Sequence, residues 1–399
     1  MDVRSNEPYS VIKNAFLKGY PSLKENVSSS VLVIGAGITG ALIAYKLMTE
    51  GKKVIIVDKR DVCDGSTAAS TSMLQYEIDV PLFKLIEQVG LTPAVSSYQN
   101  CEKAITDLKD IVDSIKSDCG FKFQKSIYFT STKKDLAFLN SEFECRKEHG
   151  FKVKWLSKAE LSSIGLNAFA GIESASGAVM DVYKFAMDLL KFLSENGVVI
   201  YDRTDIVEIN HKGGKVVVKT KQGFNIEVEH VVHCTGFEST ETINKNIVNL
   251  KSTFATASES FKTLPGAFQN KIYWNTDVPY LYFRSTDDGR IIMGGGDKNF
   301  KNAKLRDALL PKLEKKLVKE FQKCFPDIPF TLDYSWAGTF GETKDGLPYF
   351  GKENPNLNEH YILGFGGNGI TFSVMGMDAI IHSLNNTPHP YLEYYKFNR

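Results

Sequence analysis

The sequence predicts an α/β protein: a Rossmann-like domain built on a parallel sheet, interrupted twice by a second, discontinuous α+β domain of mostly antiparallel strands. Three observations predict it. A strand, a glycine turn, a helix and a second strand follow one another over residues 31–58. The strand–helix rhythm that belongs with such a unit is lost over 81–181, returns, and is lost again over 239–333. Near the end of the sequence a glycine-rich turn feeds one more apolar helix. With 399 residues, two cores on one chain is the natural expectation. The Rossmann-like domain takes 28–80, 182–238 and 334–399, the second domain 81–181 and 239–333, and 1–27 is an irregular lead-in broken by Pro8 and Pro21.

The first unit carries the chemistry. Val31 to Ile34 are four apolar β-formers, and Gly35-Ala36-Gly37-Ile38-Thr39-Gly40 follows at once. Leu42, Ile43 and Leu47 share a helical face, Gly51 stops the helix, and Val54 to Val57 form a strand ending in Asp58. Gly35 permits a tight turn, Gly37 lets the backbone approach a pyrophosphate, and Gly40 lets helix and strand pack closely. The helix N-terminus offers free N–H groups to the anion, and Asp58 suits a ribose diol. A glycine turn alone would fit an ordinary buried βαβ unit; the full context points to a dinucleotide.

Composition narrows the field. The chain is 43% hydrophobic and 24% charged with a net charge of +1, so no basic excess argues for nucleic acid. The charge-free apolar run Val31 to Tyr45 is too short to span a membrane. The lead-in, with Asp2, Arg4, Glu7, Lys13 and Lys18, lacks the apolar segment of a secretory signal. Six scattered cysteines without a CxxC pair read as free thiols, the expectation for a cytoplasmic protein. Neither they nor the seven histidines show ligand spacing, so no metal is expected.

Beyond Asp58 and Lys59, the stretch Gly65-Ser66-Thr67 offers hydroxyls and amides that extend the phosphate cradle or simply form a surface loop. Residues 81–115 have helical periodicity, 121–130 reads as a strand, 133–149 as a helix and 153–156 as a strand. A helix over 182–196 and a strand over 198–201 restore the parallel rhythm. A three-stranded meander follows over 204–229, then the strand His230 to Cys234 ending in Thr235-Gly236. Strands are expected near 253–258, 271–274, 279–285 and 290–295, and an amphipathic helix over 302–323. Asp345-Gly346-Leu347-Pro348, a strand at 361–363, Gly364-Phe365-Gly366-Gly367-Asn368-Gly369 and a helix from Ile370 to Leu384 complete the chain.

Four of these features together, GAGITG with Asp58, Gly65-Ser66-Thr67, His233-Cys234-Thr235-Gly236, and DGLPYFG followed by GFGGNGITF, resemble the D-amino-acid oxidase-like flavoenzymes. That family includes glycine oxidase, sarcosine oxidase and the D-amino-acid dehydrogenases. Their order and spacing cover almost the whole chain. The resemblance implies FAD as cofactor. Its ADP half would be held by Gly35, Ala36, Gly37, Ile38, Thr39, Gly40, Asp58 and Lys59, with Ser66 and Thr67 beside them. Ile206 would meet the adenine through its backbone, and Thr235 and Gly236 end the neighbouring strand. Gly366, Gly367, Asn368, Gly369 and Ile370 would turn amides and a positive helix end toward the flavin.

The departures are informative. The position that carries a flavin-linking cysteine in the sarcosine-oxidase branch lines up near Gly338, so FAD is expected to be non-covalent. The arginine and lysine that anchor a carboxylate in that branch line up near Gln75 and Thr371. Arg284, in Tyr280-Leu281-Tyr282-Phe283-Arg284, is the candidate replacement, with a salt-bridged arginine as the alternative. Tyr282 and Gln75 are the other candidate catalytic residues, and Met73 and Tyr76 either line the flavin or are buried for structure. The implied reaction moves a hydride from the carbon next to nitrogen, in an amine or amino acid, to flavin N5; the imine then hydrolyses. The electron acceptor stays open. A flavin dehydrogenase of 2-hydroxy acids or polyol phosphates, and a non-catalytic FAD-binding assembly factor, are the alternatives.

Overall fold

The computed structural model describes residues 4–399 apart from 16, 17, 244 and 246. Residues 1–3, 16 and 17 of the expected lead-in therefore lie outside the described residues.

A six-stranded sheet carries the glycine turn. Its spatial order is Tyr349–Gly351, Glu359–Leu363, His230–His233, Val31–Ile34, Val54–Val57, Val199–Tyr201. All neighbours are parallel except the first pair. The strands are apolar throughout because both faces are covered. Val31 and Val33 pack under the helices Ile38–Thr49, Leu91–Ser114, Val182–Glu195 and Gly369–Leu384. Leu32, Ile55 and Val57 point the other way, onto a four-stranded sheet made of Ile206–Lys212, Lys215–Thr220, Asn225–Val228 and Val27–Ser28.

A ten-stranded sheet forms the rest. Along it lie Arg4–Ser5, Leu332–Glu342, Asn249–Ser258, Ile291–Asn299, Leu281–Ser285, Lys271–Asn275, Lys122–Thr130, Ala170–Val179 and Met73–Gln75, with Val153–Ser157 branching from Ala170–Val179. Only the pairing of Lys271–Asn275 with Lys122–Thr130 is parallel. The helix Ala303–Cys324 covers one face, burying Leu310, Leu313, Leu317 and Phe321 against Phe254, Phe268 and Phe283. The spacing of those four residues is the helical stripe the sequence shows.

The structure departs from the sequence reading at several places. Met73–Gln75 and Leu332–Glu342, expected with the dinucleotide pieces, are strands of the large sheet. The lead-in is partly regular: Arg4–Ser5 pairs with Leu332–Glu342, and Tyr9–Asn14 is a helix with Pro8 as its N-cap. Pro8 starts a helix here, where its missing N–H costs nothing. The ten-residue strand Ala170–Val179 was not expected, and the helical stretch 81–115 is two helices, Leu82–Val89 and Leu91–Ser114, parted at Gly90.

Candidate active site

The glycine turn is shaped by contacts that leave no room for side chains. Gly35 has φ +107°, and a Cβ on Gly40 would lie 1.8 Å from Gly35 O. The helix Ile38–Thr49 therefore starts directly against the end of the strand. Thr67 Oγ1, from the short helix Ser66–Ala69, accepts the Ile38 N–H at 3.0 Å, and Thr39 Oγ1 meets Ser373 Oγ at 2.7 Å. Asp58 braces the turn as well: its Oδ2 accepts the Ala36 N–H at 2.8 Å and its Oδ1 the Arg60 N–H at 2.9 Å. Desolvation pushes the Asp58 carboxyl above its ordinary value in spite of these donors. Lys59 and Arg60 both pair with Glu238, at 3.0 and 2.6 Å.

This turn opens into a cavity of about 620 Å³ that continues without a break to the large sheet. Its dinucleotide end is lined by Gly35, Gly37, Ile38, Thr39, Asp58, Lys59, Ser66, Thr67, Ile206, Thr235 and Gly236. Ala36 and Gly40 shape the turn without lining the space. Thr235 Oγ1 is shut off from solvent and has no hydrogen-bond partner among the described residues. An orphaned hydroxyl, a row of glycines and an acid at the strand end fit the sugar and phosphate portion of a dinucleotide.

At the other end stand Gly366, Gly367, Asn368, Gly369 and Ile370, where a 3-10 turn leads into the helix Gly369–Leu384. Asn368 Nδ2 donates to Gln75 O at 3.2 Å and to Glu77 O at 2.9 Å, tying the turn to the strand Met73–Gln75. Asp79 accepts from the Gly367 N–H at 2.8 Å and from the Tyr280 hydroxyl at 2.9 Å. Met73, Gln75 and Tyr282 line the cavity; Tyr76 does not, and stacks on Phe151 at 5.3 Å. The phenol end of Tyr282 lies over Gly294, where a Cβ would come within 2.1 Å of it. Burial pushes the Tyr282 hydroxyl up to about 12, so it stays protonated.

Arg284 is not brought to this cavity. It sits 4% exposed beside a separate space of about 230 Å³, donating through Nε to Thr71 O and through Nη1 to Ser285 O at 3.1 Å. The guanidinium lies behind the 70–73 loop rather than in front of it. Arg290 pairs with Asp288 and Asp333 at 3.0 and 2.5 Å.

Residues that sequence reasoning did not single out also line the far end: Glu77, Asp79, Thr253, Trp274, Tyr280, Asp297 and Phe340. Asp297 closes the glycine run Gly294-Gly295-Gly296, the one sequence signal that marked it. Behind this wall, Arg146 is fully buried between two acids, with Nε 2.6 Å from Glu142 and Nη1 3.2 Å from Glu77. The rings of Tyr76, Tyr98 and Tyr128 surround it at 5.7–5.8 Å, and Trp274 stacks on Tyr128 at 3.8 Å. Among the described residues no helix is long and apolar enough to cross a membrane, and no group of His, Cys, Asp and Glu is arranged to hold a metal.

Comparison with known proteins places these features in a wider group. The family model described as FAD dependent oxidoreductase matches residues 30–379. Glycine oxidase of Bacillus licheniformis is 26% identical over 364 residues, covering 85% of this chain and 88% of that protein. Gamma-glutamylputrescine oxidoreductase of Escherichia coli is 22% identical over 364 residues, covering 88% and 82%. A Bacillus subtilis protein named as a putative Rieske 2Fe-2S iron-sulfur protein is 26% identical over 221 residues, which is 55% of this chain but 43% of that relative's length. The crystal structure of glycine oxidase from Geobacillus kaustophilus superposes with a TM-score of 0.77 at 17% identity, covering 94% and 99%. At that identity the likeness shows the fold.

Proposed function

This chain belongs to the FAD-dependent oxidoreductase family, and from that premise we propose that it oxidises the C–N bond of an amine or amino acid to an imine, which water then hydrolyses. The observation that carries the reading is the single cavity that joins the dinucleotide cradle to an enclosed aromatic end. The glycine turn, Asp58 and the Thr235 hydroxyl would hold FAD in the cradle. Bound there, FAD supplies the acceptor for the hydrogen and electron pair that leave the carbon beside the substrate nitrogen.

The remaining work falls to the chain's own residues. Gln75, Trp274, Tyr280 and Tyr282 exclude water and hold the substrate in one orientation. The N-terminus of the helix Gly369–Leu384 turns its positive end to the cavity at Ile370, which favours accumulation of negative charge on the cofactor side. Among the described residues no nucleophile–base dyad lines the far end, in keeping with a reaction that needs alignment more than proton transfer. Gly338 lines the cavity without a cysteine beside it in sequence, which supports non-covalent binding. A polyol-phosphate substrate, with a doubly charged phosphate, would require cations that the far end lacks among the described residues.

Mixing the oxidised protein anaerobically with amines, amino acids, 2-hydroxy acids and polyol phosphates tests this reading. Bleaching of the flavin by nitrogen compounds is expected. Bleaching by hydroxy acids or polyol phosphates alone, or by nothing, would overturn it in favour of the dehydrogenase or the assembly factor.

A further inference from the structure

We propose that the substrate carries a net positive charge, as an aliphatic diamine or polyamine does, and that Asp297 is the counter-ion of its second ammonium group. The inference deepens the amine-oxidising reading above and rests on it.

Among the described residues the far end of the cavity contains acids and aromatic rings but no lysine or arginine. Of the lysines and arginines among the described residues, only Lys59 and Arg60 line the cavity, and both pair with Glu238 at the dinucleotide end. Arg284 is turned away, and Arg146 is held between Glu77 and Glu142 behind the wall. Lys251 lies outside the lining and bonds Glu342 at 3.3 Å and Asn299 at 3.0 Å. The Gly367 amide, a potential anion donor, is taken by Asp79. An α-carboxylate brought into this end would therefore face Asp79 and Asp297 with no lysine or arginine among the described residues to pair its charge, an arrangement disfavoured away from water.

The two aspartates differ. Asp79 has both the Gly367 N–H and the Tyr280 hydroxyl. Asp297 Oδ1 is shut off from solvent and has no hydrogen-bond partner among the described residues. Two neighbours point to a ligand in the same way. Glu77, 2% exposed, leaves the acceptor Oε2 without a partner, and Trp274, 4% exposed, leaves the donor Nε1–H without one, which an uncharged amine nitrogen, unlike an ammonium, can accept. Burial, with Asp79 and Glu342 adding like charge, pushes the Asp297 carboxyl up to about 6. A cation beside it relieves that repulsion. Around it, Tyr280 and Trp274 lie with ring centroids 6.0 Å apart and Tyr280 and Tyr282 likewise, and such faces attract ammonium groups.

The reacting nitrogen cannot be the group that Asp297 holds as a cation, because an ammonium has no lone pair to assist loss of the neighbouring hydrogen. The counter-ion is matched to a second nitrogen that stays charged, with the methylene chain between the two lying along the aromatic rings.

The test uses the purified FAD-loaded protein. Putrescine, butylamine, γ-aminobutyrate and glycine are compared by anaerobic flavin bleaching. Half-saturation for putrescine should lie about 10-fold below that for butylamine and about 100-fold below those for the two carboxylates. Asp297→Asn should raise the putrescine value about 10- to 100-fold and leave butylamine within about 3-fold. Binding of a bis-quaternary alkane diammonium, which cannot be oxidised through an imine, is measured in parallel by calorimetry. It should bind the wild type and be lost in Asp297→Asn. Glycine or γ-aminobutyrate acting below putrescine, or an unchanged putrescine value in the variant, would overturn the cationic substrate and leave amine oxidation standing. If no nitrogen compound bleaches the flavin, the reaction assignment fails, and calorimetry alone decides the cation site: no binding overturns it.

Discussion

Replacing Asp297 by asparagine should make the FAD-free protein more stable, by an amount that grows as the pH rises above about 4 and is complete above about pH 6. The carboxyl has an ordinary value of 3.8 and is pushed up to about 6 by burial, with Asp79 and Glu342 reinforcing it and Thr253 and Lys251 opposing. In the unfolded chain the proton is lost through 3.8; in the folded chain it is kept until about 6. Below 3.8 both states are protonated and the carboxyl costs nothing. Between the two values the cost grows, and above 6 it is complete. At about 1.36 kcal/mol per pH unit over roughly two units the limit is about 3 kcal/mol. Solvent reaching the open side of the cavity reduces this to roughly 1–2 kcal/mol. Thermal melts of FAD-free wild type and Asp297→Asn at pH 8 and pH 4 measure it. The variant should melt a few degrees higher at pH 8, and the difference should close at pH 4. A variant less stable than wild type at pH 8, or a difference independent of pH, would refute the reasoning.

Four further outcomes follow from the same geometry. Asp58→Ala should weaken FAD binding by about 1–3 kcal/mol and also lower the melting temperature of the FAD-free protein, because Ala36 and Arg60 lose their acceptor. Fluorescence titration and a melt check the two parts separately. Gly294→Ala should displace the Tyr282 ring and lower kcat/KM by about 10-fold or more, with the FAD content of the purified protein unchanged. Arg146→Met should destabilise the fold by about 3–5 kcal/mol in denaturant titration, since it leaves Glu77 and Glu142 buried and unpaired. Acid precipitation should release the flavin entirely as free FAD; flavin remaining with the precipitate would show a covalent link.

The parts of the site that were legible in the sequence are those whose geometry is local. From Val31 to Asp58 the contacts that set the turn's shape are made mostly within the unit or to a strand end, with Thr67 and Ser373 added from two other helices, and residue type at fixed spacing reports the local part. Asp79 and Asp297 meet in one cavity only because the sheet order brings Leu281–Ser285 and Ile291–Asn299 beside the C-terminal turn, and no local pattern encodes that. Arg284 shows the limit of strand alternation. Tyr280, Tyr282 and Arg284 share a face, but the face runs past the end of the cavity, where backbone carbonyls take the guanidinium. The strand Ala170–Val179 escaped notice because its packing demands small residues. A Cβ on Gly177 would press within 3.0 Å of Ile272, and between Ile172 and Val179 the segment carries only small residues and one acid in place of the bulky β-formers that mark a strand.

The strand order of the six-stranded sheet also bears on how the protein is made. Val31–Ile34 lies between Val54–Val57 and His230–His233, and His230–His233 is closed on its other side by Glu359–Leu363. During synthesis the dinucleotide wall therefore keeps an unpaired apolar edge until residue 359 and its successors have left the ribosome. The large sheet waits as well, because Asn249–Ser258 needs Leu332–Glu342 beside it. Almost the whole chain must be translated before either sheet can shut, so the nascent protein should depend on chaperones to keep those edges apart.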